Sequence, residues 1–298
     1  MTDDHDNQFK SGFVSIIGRP NSGKSTLLNR LVGQKISIVT PQPQTTRNVV
    51  RGIISSDVGQ VIFLDTPGIH KPIHRMNERM MRFMSESLQH IDVVMLMVDA
   101  SADYGAGEEF ALQLVKRTDS RRFLLLNKID KVPKQDLLPQ IDRYGKAAVF
   151  DEIIPLSALN GDGVDELKDE ILGYLSPGPM YYPSDQLSDQ PERFLVSEII
   201  REKLILLTRQ ELPYSTAIHI ERFEERERII AIYASIFVER SSQKAIVIGK
   251  GGQLLKRAGT EARLEIESLL HSRVHLDLHV KVKKKWRDDE NLLRSLGI

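Results

Sequence analysis

The sequence predicts an α/β domain built on a mixed, mostly parallel, doubly wound sheet, followed by a smaller α+β domain. Three observations carry this. Short apolar runs such as "VVMLMV" and "FLLL" alternate with amphipathic stretches through the first half, as strands buried on both faces alternate with helices. The stretch "SPGPMYYPSDQLSDQP", residues 176–191, carries four prolines and little apolar periodicity, so it reads as a linker. Beyond it the texture changes, and the chain closes with "VHLDLHVKV", whose strict alternation marks a strand with one buried face. A length of 298 residues suits two domains. The expected division is 1–178, a linker at 179–191, and 192–298.

The elements follow in order. Residues 13–17 form a first strand, succeeded at once by the loop "GRPNSGKS" and the helical pattern "STLLNRLVG". Further strands are expected at 49–54, 61–64, 93–98, 123–126 and 153–156, with helical patterns between them. After the linker, "ERFLVSEIIREKLILLTRQ" has helical spacing, and strands are expected at 216–220 and 229–238. "SQKAIVI" closes a helix, "GKGG" turns the chain, and "LLKRAGTEARLEIESLL" is a second helix. In the last strand Val274, Leu276, Leu278, Val280 and Val282 share one face, and His275, Asp277, His279 and Lys281 the other.

Composition excludes several classes. Without cysteine there is no disulfide, thiolate metal site or cysteine nucleophile. The N-terminus, MTDDHDNQFK, is polar and acidic, unlike a signal peptide. The run "VVMLMV" is too short to span a bilayer. A soluble, cytoplasmic protein is expected. Lys+Arg and Asp+Glu are equal at 41 each, yet residues from Pro191 onward hold 20 basic and 16 acidic side chains. The C-terminal domain is the basic part.

Gly18-x4-Gly23-Lys24-Ser25 matches the P-loop pattern, between a strand and a helix as that motif requires. Backbone N–H groups at a helix N-terminus face phosphates, and glycines let the backbone approach them. Gly18, Arg19, Pro20, Asn21, Ser22, Gly23, Lys24, Ser25 and Thr26 are the expected phosphate-binding residues. Lys24 neutralises β- and γ-phosphate oxygens, and Ser25 ligates Mg²⁺. "NKID" follows the run "FLLL", at the strand end where ligands bind in such sheets. In it Asp130 can accept from N1–H and the exocyclic amine of guanine, a pair adenine does not offer. Asn127 and Lys128 belong to the same turn. Ser157, Ala158 and Leu159 follow the next strand and support the base. "DTPG" places Asp65 to hold Mg²⁺ and the Gly68 N–H to sense the γ-phosphate, with Thr66 and Pro67 between them. "QTTR" offers a threonine to complete the Mg²⁺ shell, Thr46 being favoured over Thr45. GTP or GDP is the expected ligand, and Lys24, Asn21, Thr46 and Gly68 the expected catalytic residues.

Together these motifs resemble the translation-factor-related GTPases, in particular the Era and MnmE branch, which carries P-N-x-G-K-S, T-T-R and D-T-P-G. The resemblance implies GTP hydrolysis with a switch that rearranges when the γ-phosphate is lost. After DTPG a Ras-like enzyme has a water-orienting glutamine; here the residue is Ile69. Relatives with an apolar residue there use another route, in several of which the P-loop asparagine helps bind K⁺. Asn21 matches that asparagine, so the resemblance implies K⁺ as a second cofactor and slow intrinsic hydrolysis.

Gly249-Lys250-Gly251-Gly252 looks like a second phosphate loop, but it lacks the Ser/Thr that would ligate Mg²⁺ and follows helical sequence. It matches the G-x-x-G turn of KH domains, which clamps single-stranded RNA. The order α-β-β-α-α-β resembles the type II KH form. No acidic residue lies between Glu239 and Glu261, while Arg240, Lys244, Lys250, Lys256 and Arg257 are basic, and "KVKKKWR" follows. Lys244, Ile248, Gly249, Lys250, Gly251, Gly252, Lys256, Arg257, Lys283, Lys285 and Trp286 are the expected RNA-binding residues; a lone tryptophan near a terminus more often packs into the protein, so Trp286 is read either as packing or as stacking on a base. A GTPase followed by such a module resembles the Era family over nearly the whole chain. That implies a monomer acting in assembly of the 30S ribosomal subunit at the 3′ end of 16S rRNA. The basic run also suits anionic lipid, so a peripheral contact with the inner membrane is a second expectation. The alternatives are a membrane-associated signalling GTPase with a non-RNA adaptor domain, and a tRNA-modifying GTPase like MnmE. The latter would need cysteine-bearing segments that are absent.

Overall fold

A computed structural model describes residues 8–43, 45–69, 74–146, 149–208 and 212–298. Gln44 of the "QTTR" stretch lies outside them. The helices are α1 (Lys24–Val32), α2 (Arg75–Glu86), α3 (Ala106–Lys116), α4 (Lys134–Lys146), α5 (Val164–Tyr174), α6 (Glu192–Leu207), α7 (Leu212–Ser215), α8 (Ser241–Ile248), α9 (Gln253–Leu270) and α10 (Glu290–Ser295). The strands are β1 (Lys10–Ile17), β2 (Val50–Ser55), β3 (Gly59–Asp65), β4 (Val93–Asp99), β5 (Arg121–Asn127), β6 (Glu152–Leu156), β7 (Ala217–Arg226), β8 (Ile229–Val238) and β9 (Val274–Val282). Two compact units result. The first comprises Met1–Ser37, Thr46–Lys71 and Met81–Asp189; the second comprises Ile38–Thr45, Pro72–Met80 and Gln190–Ile298.

In the first unit the sheet runs β2-β3-β1-β4-β5-β6, parallel except for β2. Its central strands are apolar on both faces because both are covered. β3 is buried throughout, and β4 is buried from Val93 to Val98. The parallel register aligns the strand ends: Ile16 lies opposite Asp65, Asp99 opposite Asn127, and Asn127 opposite Leu156. All the loops that carry motifs therefore leave the same carboxyl edge.

The proline-rich stretch is strapped to this unit. Lys10 bridges Pro177. The Ile53 amide donates to Leu187 O at 2.9 Å. Buried Gln60 accepts from the amides of Tyr181 and Tyr182 at 2.8 and 3.0 Å and donates to Tyr182 O at 2.8 Å. Prolines cannot donate these bonds, so the flanking residues and Gln60 supply them.

The second unit has the sheet order β7-β8-β9, antiparallel then parallel, with a bulge between Ile220 and Arg222. α6 and α9 cover one face. Val196, Ile200 and Leu204 join Ile232, Ile236, Ala262 and Ile266 in its core. β7 extends six residues past the expected strand, to Arg226. The short α7 and α10 are not legible in the apolar periodicity, because neither spans two helical turns.

Candidate functional site

The chain leaves β1, turns through 18–23, and enters α1 at Lys24. Gly23 has φ 109°, and a Cβ there would lie 2.1 Å from Asn127 Nδ2, so no other residue fits between the phosphate loop and the NKID turn. Asn127 laces three motifs together. Its Nδ2 donates to Ser22 O at 2.7 Å, and its Oδ1 accepts from the Ala158 amide at 2.9 Å. Lys128 donates to Asn21 O at 2.8 Å and to Asp99 Oδ2 at 2.6 Å. Ser157 Oγ donates to Asp130 Oδ1 at 2.6 Å, which fixes the carboxylate expected to read guanine. The Leu159 side chain points to solvent, so its place in the site rests on its backbone.

Lys24 is buried, and its ammonium donates to Gly18 O at 3.2 Å and Arg19 O at 2.9 Å. Burial pushes its pKa down to about 8, opposed by the charge of Asp65. Burial raises Asp65 in turn, against Lys24 and three hydroxyls. Those hydroxyls converge on Asp65 Oδ2: Ser25 at 2.6 Å, Ser37 at 3.1 Å and Thr46 at 3.5 Å. Ser25 and Thr46 are themselves 2.9 Å apart. Thr45 turns elsewhere, to Thr40 Oγ1 and Gln42 O, both at 2.7 Å. Asp65 Oδ1 is buried with no hydrogen-bond partner among the described residues. A carboxylate with a lone buried oxygen among hydroxyls is a hard-oxygen donor set that fits Mg²⁺.

Thr66 is structural, its hydroxyl donating to Ile16 O at 2.7 Å. The Ile69 amide donates to Gly18 O at 3.1 Å, bringing Pro67 and Gly68 beside the phosphate loop. The Ile69 side chain is buried with Ile17, Leu64 and Met84, so it does not reach into the site. Arg19 is held off by a fork to Glu108, at 2.7 and 2.9 Å. Thr26 sits on the first turn of α1. Sequence reasoning missed Ser37, Asp99 and Glu108, and also Arg30, which donates to Ala158 O at 3.3 Å and to Leu159 O. None lies in a motif; each is found only through distant partners.

In the second unit, Gly249-Lys250-Gly251-Gly252 joins α8 to α9. Beside it an open cleft of about 360 Å³ lies between α9 and β9, lined by Gly252, Leu255, Lys256, Gly259, Thr260, Arg263, Leu276 and Leu278. Lys256 gives it a positive wall over an apolar floor, which suits a base beneath a phosphate backbone, while Arg263, also lining it, pairs with Glu267 at 2.9 Å. Lys244 is half-buried on α8, and Lys250, Arg257 and Lys285 are exposed. Arg257 pairs with Glu261 at 2.8 Å, and Lys283 with Asp289 at 2.8 Å. Ile248 packs against the core.

Trp286 requires a correction. Its ring is 0% exposed, in a cluster with Met76, Met80, Ala217 and Leu293. Its Nε1 donates to Ser215 O at 2.9 Å. It cannot stack on a base; burying a large ring repays more than exposing it, provided the indole N–H finds an acceptor. Trp286→Phe should therefore destabilise the protein by about 2 kcal/mol, from a lost hydrogen bond and a small cavity. Urea melts would show this while RNA affinity stays unchanged.

Comparison with known proteins identifies the two domain types and the family. A family model described as a 50S ribosome-binding GTPase matches residues 13–128, and a KH domain model matches residues 211–287. The chain is 49% identical over 291 residues to the GTPase Era of Staphylococcus haemolyticus (strain JCSC1435), covering 97% of each. A crystal structure of Era with MgGDPNP and nucleotides 1506–1542 of 16S ribosomal RNA superposes with a TM-score of 0.94 at 40% identity, over 97% of this chain and 99% of that one. A point variant of Aquifex aeolicus Era bound to GDP·AlF4⁻ gives 0.93 at 40% identity, with the same coverage. A phosphate loop laced to an NKID turn, joined to a KH module and matched from end to end, places this chain in the Era family of GTPases.

Proposed function

We propose that this GTPase is a nucleotide-controlled switch that binds single-stranded rRNA during assembly of the 30S ribosomal subunit, at the 3′ end of 16S rRNA. The observation that carries this is the end-to-end match to Era in complex with MgGDPNP and nucleotides 1506–1542 of 16S rRNA. Residues 1–178 handle GTP, 179–191 connect, and 192–298 grip RNA in the cytoplasm. Ser25, Thr46 and Asp65 hold Mg²⁺, which when bound neutralises phosphate oxygens. Lys24 stabilises charge on the phosphates, and the Gly68 amide registers the γ-phosphate. GTP and RNA binding are linked, so each tightens the other by one common factor. The test is cross-linking of the protein to RNA in cells, followed by sequencing. Reads should gather at the 3′ end of 16S rRNA. Reads scattered elsewhere, or recovery on anionic vesicles without RNA, would overturn the reading.

K⁺ is the finer proposal. Asn21 sits on the exposed rim of the phosphate loop in left-handed conformation, φ 63°, and its amide oxygen is a suitable neutral ligand. Buried Ile69 supplies no hydrogen bond to water, so a cation beside the phosphates offers the missing stabilisation. GTP hydrolysis should be several-fold faster in K⁺ than in Na⁺ at equal ionic strength, and Asn21→Ala should erase the difference. Equal wild-type rates in the two salts would rule the idea out.

A further inference from the structure

Arg30 stands in the last turn of α1, outside every motif of the nucleotide site. A cation there ordinarily faces the open carbonyls of its own helix. Arg30 reaches another segment of the first unit instead. Its Nε donates to Ala158 O at 3.3 Å and its Nη2 to Leu159 O, on the turn that follows β6. Gly161, at φ 101°, keeps that turn close, for a Cβ there would stand 3.5 Å from Arg30 Nη1.

The turn is otherwise fixed only at its base. The Ser157 amide donates to Asp162 O at 2.9 Å, the Gly161 amide donates to Ser157 O at 2.7 Å, and Asn127 Oδ1 accepts from the Ala158 amide at 2.9 Å. At the tip are the peptides 158–159 and 159–160. Among the described residues, Arg30 is the donor to both of their carbonyls. In a trans peptide the C=O and N–H point opposite ways, so a held carbonyl also aims an amide. Holding Ala158 O toward α1 turns the Leu159 N–H away from it. Holding Leu159 O aims the Asn160 N–H, which donates to Ser157 Oγ at 3.2 Å. That hydroxyl donates in turn to Asp130 Oδ1 at 2.6 Å. α1 begins at Lys24 and runs nine residues, about 13 Å. One rigid helix therefore carries the phosphate-binding lysine at one end and the brace of the base turn at the other.

We infer that Arg30 is a positioning residue for guanine recognition. It orients the tip of the 157–160 turn, so that Ser157 fixes Asp130 and the Leu159 N–H is presented to guanine O6. O6 neighbours the N1–H that Asp130 accepts from, so both contacts need one common placement. The inference rests on the reading above, that Asp130 recognises guanine.

The test uses the full chain with Mg²⁺ and measures GDP and inosine diphosphate by competition against a fluorescent GDP. The inosine base lacks the exocyclic amine, so the wild type should favour GDP by about ten- to hundredfold. Arg30 is exposed, so substituting it should leave the fold intact. Arg30→Met keeps the aliphatic stem and removes both donors, and the preference should shrink by about three- to tenfold. Arg30→Lys restores one donor and should recover most of it. Ser157→Ala breaks the relay one step further on, so adding Arg30→Met to it should change the preference by less than about twofold. A merely structural role would weaken both nucleotides alike and leave the preference intact, which overturns the inference. Fully additive losses in the double variant overturn it too. A wild type that binds both nucleotides equally overturns the reading of Asp130 itself.

Discussion

Replacing Asp130 with asparagine should weaken GTP binding by roughly 10²–10⁴-fold, through two lost charge-assisted hydrogen bonds, and should turn the protein toward xanthine nucleotides. The geometry makes the direction specific. Ser157 Oγ donates to Asp130 Oδ1 at 2.6 Å. In the variant the amide oxygen keeps that bond, so the amide NH₂ takes the place of Oδ2. It then faces the exocyclic amine of guanine, donor against donor. Xanthine carries a carbonyl oxygen at that position and accepts from the amide instead. The Asn127 bonds to Ser22 O and the Ala158 amide are untouched, so the phosphate loop should keep its shape. Competition of GTP and XTP against a fluorescent nucleotide reads the outcome. Unchanged affinities for both would mean that Asp130 does not read the base.

That prediction could be framed from "NKID" alone; its direction could not. The division recurs across the molecule. Legible features are those a local stretch enforces by its own physics: the phosphate loop between strand and helix, the apolar runs of a sheet covered twice, and the strict alternation of β9. The parallel order then brings 18–25, 65–68, 127–130 and 157–159 to one edge. What stays hidden depends on partners far along the chain. Ser37 looks like any serine in a polar stretch, yet its hydroxyl lies on Asp65. Arg201 and Glu202 fall within an ordinary amphipathic helix, and nothing local says that they hold Thr45 O and the Val39 amide. Trp286 stands amid lysines and arginine, which suggests an exposed ring. Its burial depends on Met76 and Met80, some two hundred residues earlier. The "SPGPMYYPSDQLSDQP" stretch reads as a connector because its backbone partners, Lys10, Ile53 and Gln60, are invisible to composition.

Gly251→Asp should cut single-stranded RNA affinity by about two orders of magnitude, the scale of a like charge placed against a phosphate, and leave GTP binding alone. The glycines of the turn differ in kind. Gly249 adopts φ 74°, ψ 175°, a region essentially closed to other residues, and a Cβ there would lie 2.7 Å from Leu254 Cβ. Substituting it would break the α8–α9 joint and report on folding. Gly251 has φ 58° and ψ 24°, the left-handed region that asparagine and aspartate tolerate best, and a Cβ there meets nothing within 4 Å. Aspartate should therefore fold, with its carboxylate where the turn's amides face an RNA backbone. Gly251→Asn shares the backbone preference and lacks the charge. The gap between the two variants isolates electrostatics from shape, and it should shrink as salt rises. Fluorescence anisotropy of a labelled RNA across a salt series measures it. If the aspartate and asparagine variants bind as the wild type does, the GKGG turn does not hold the RNA backbone, and the cleft between α9 and β9 must do so alone.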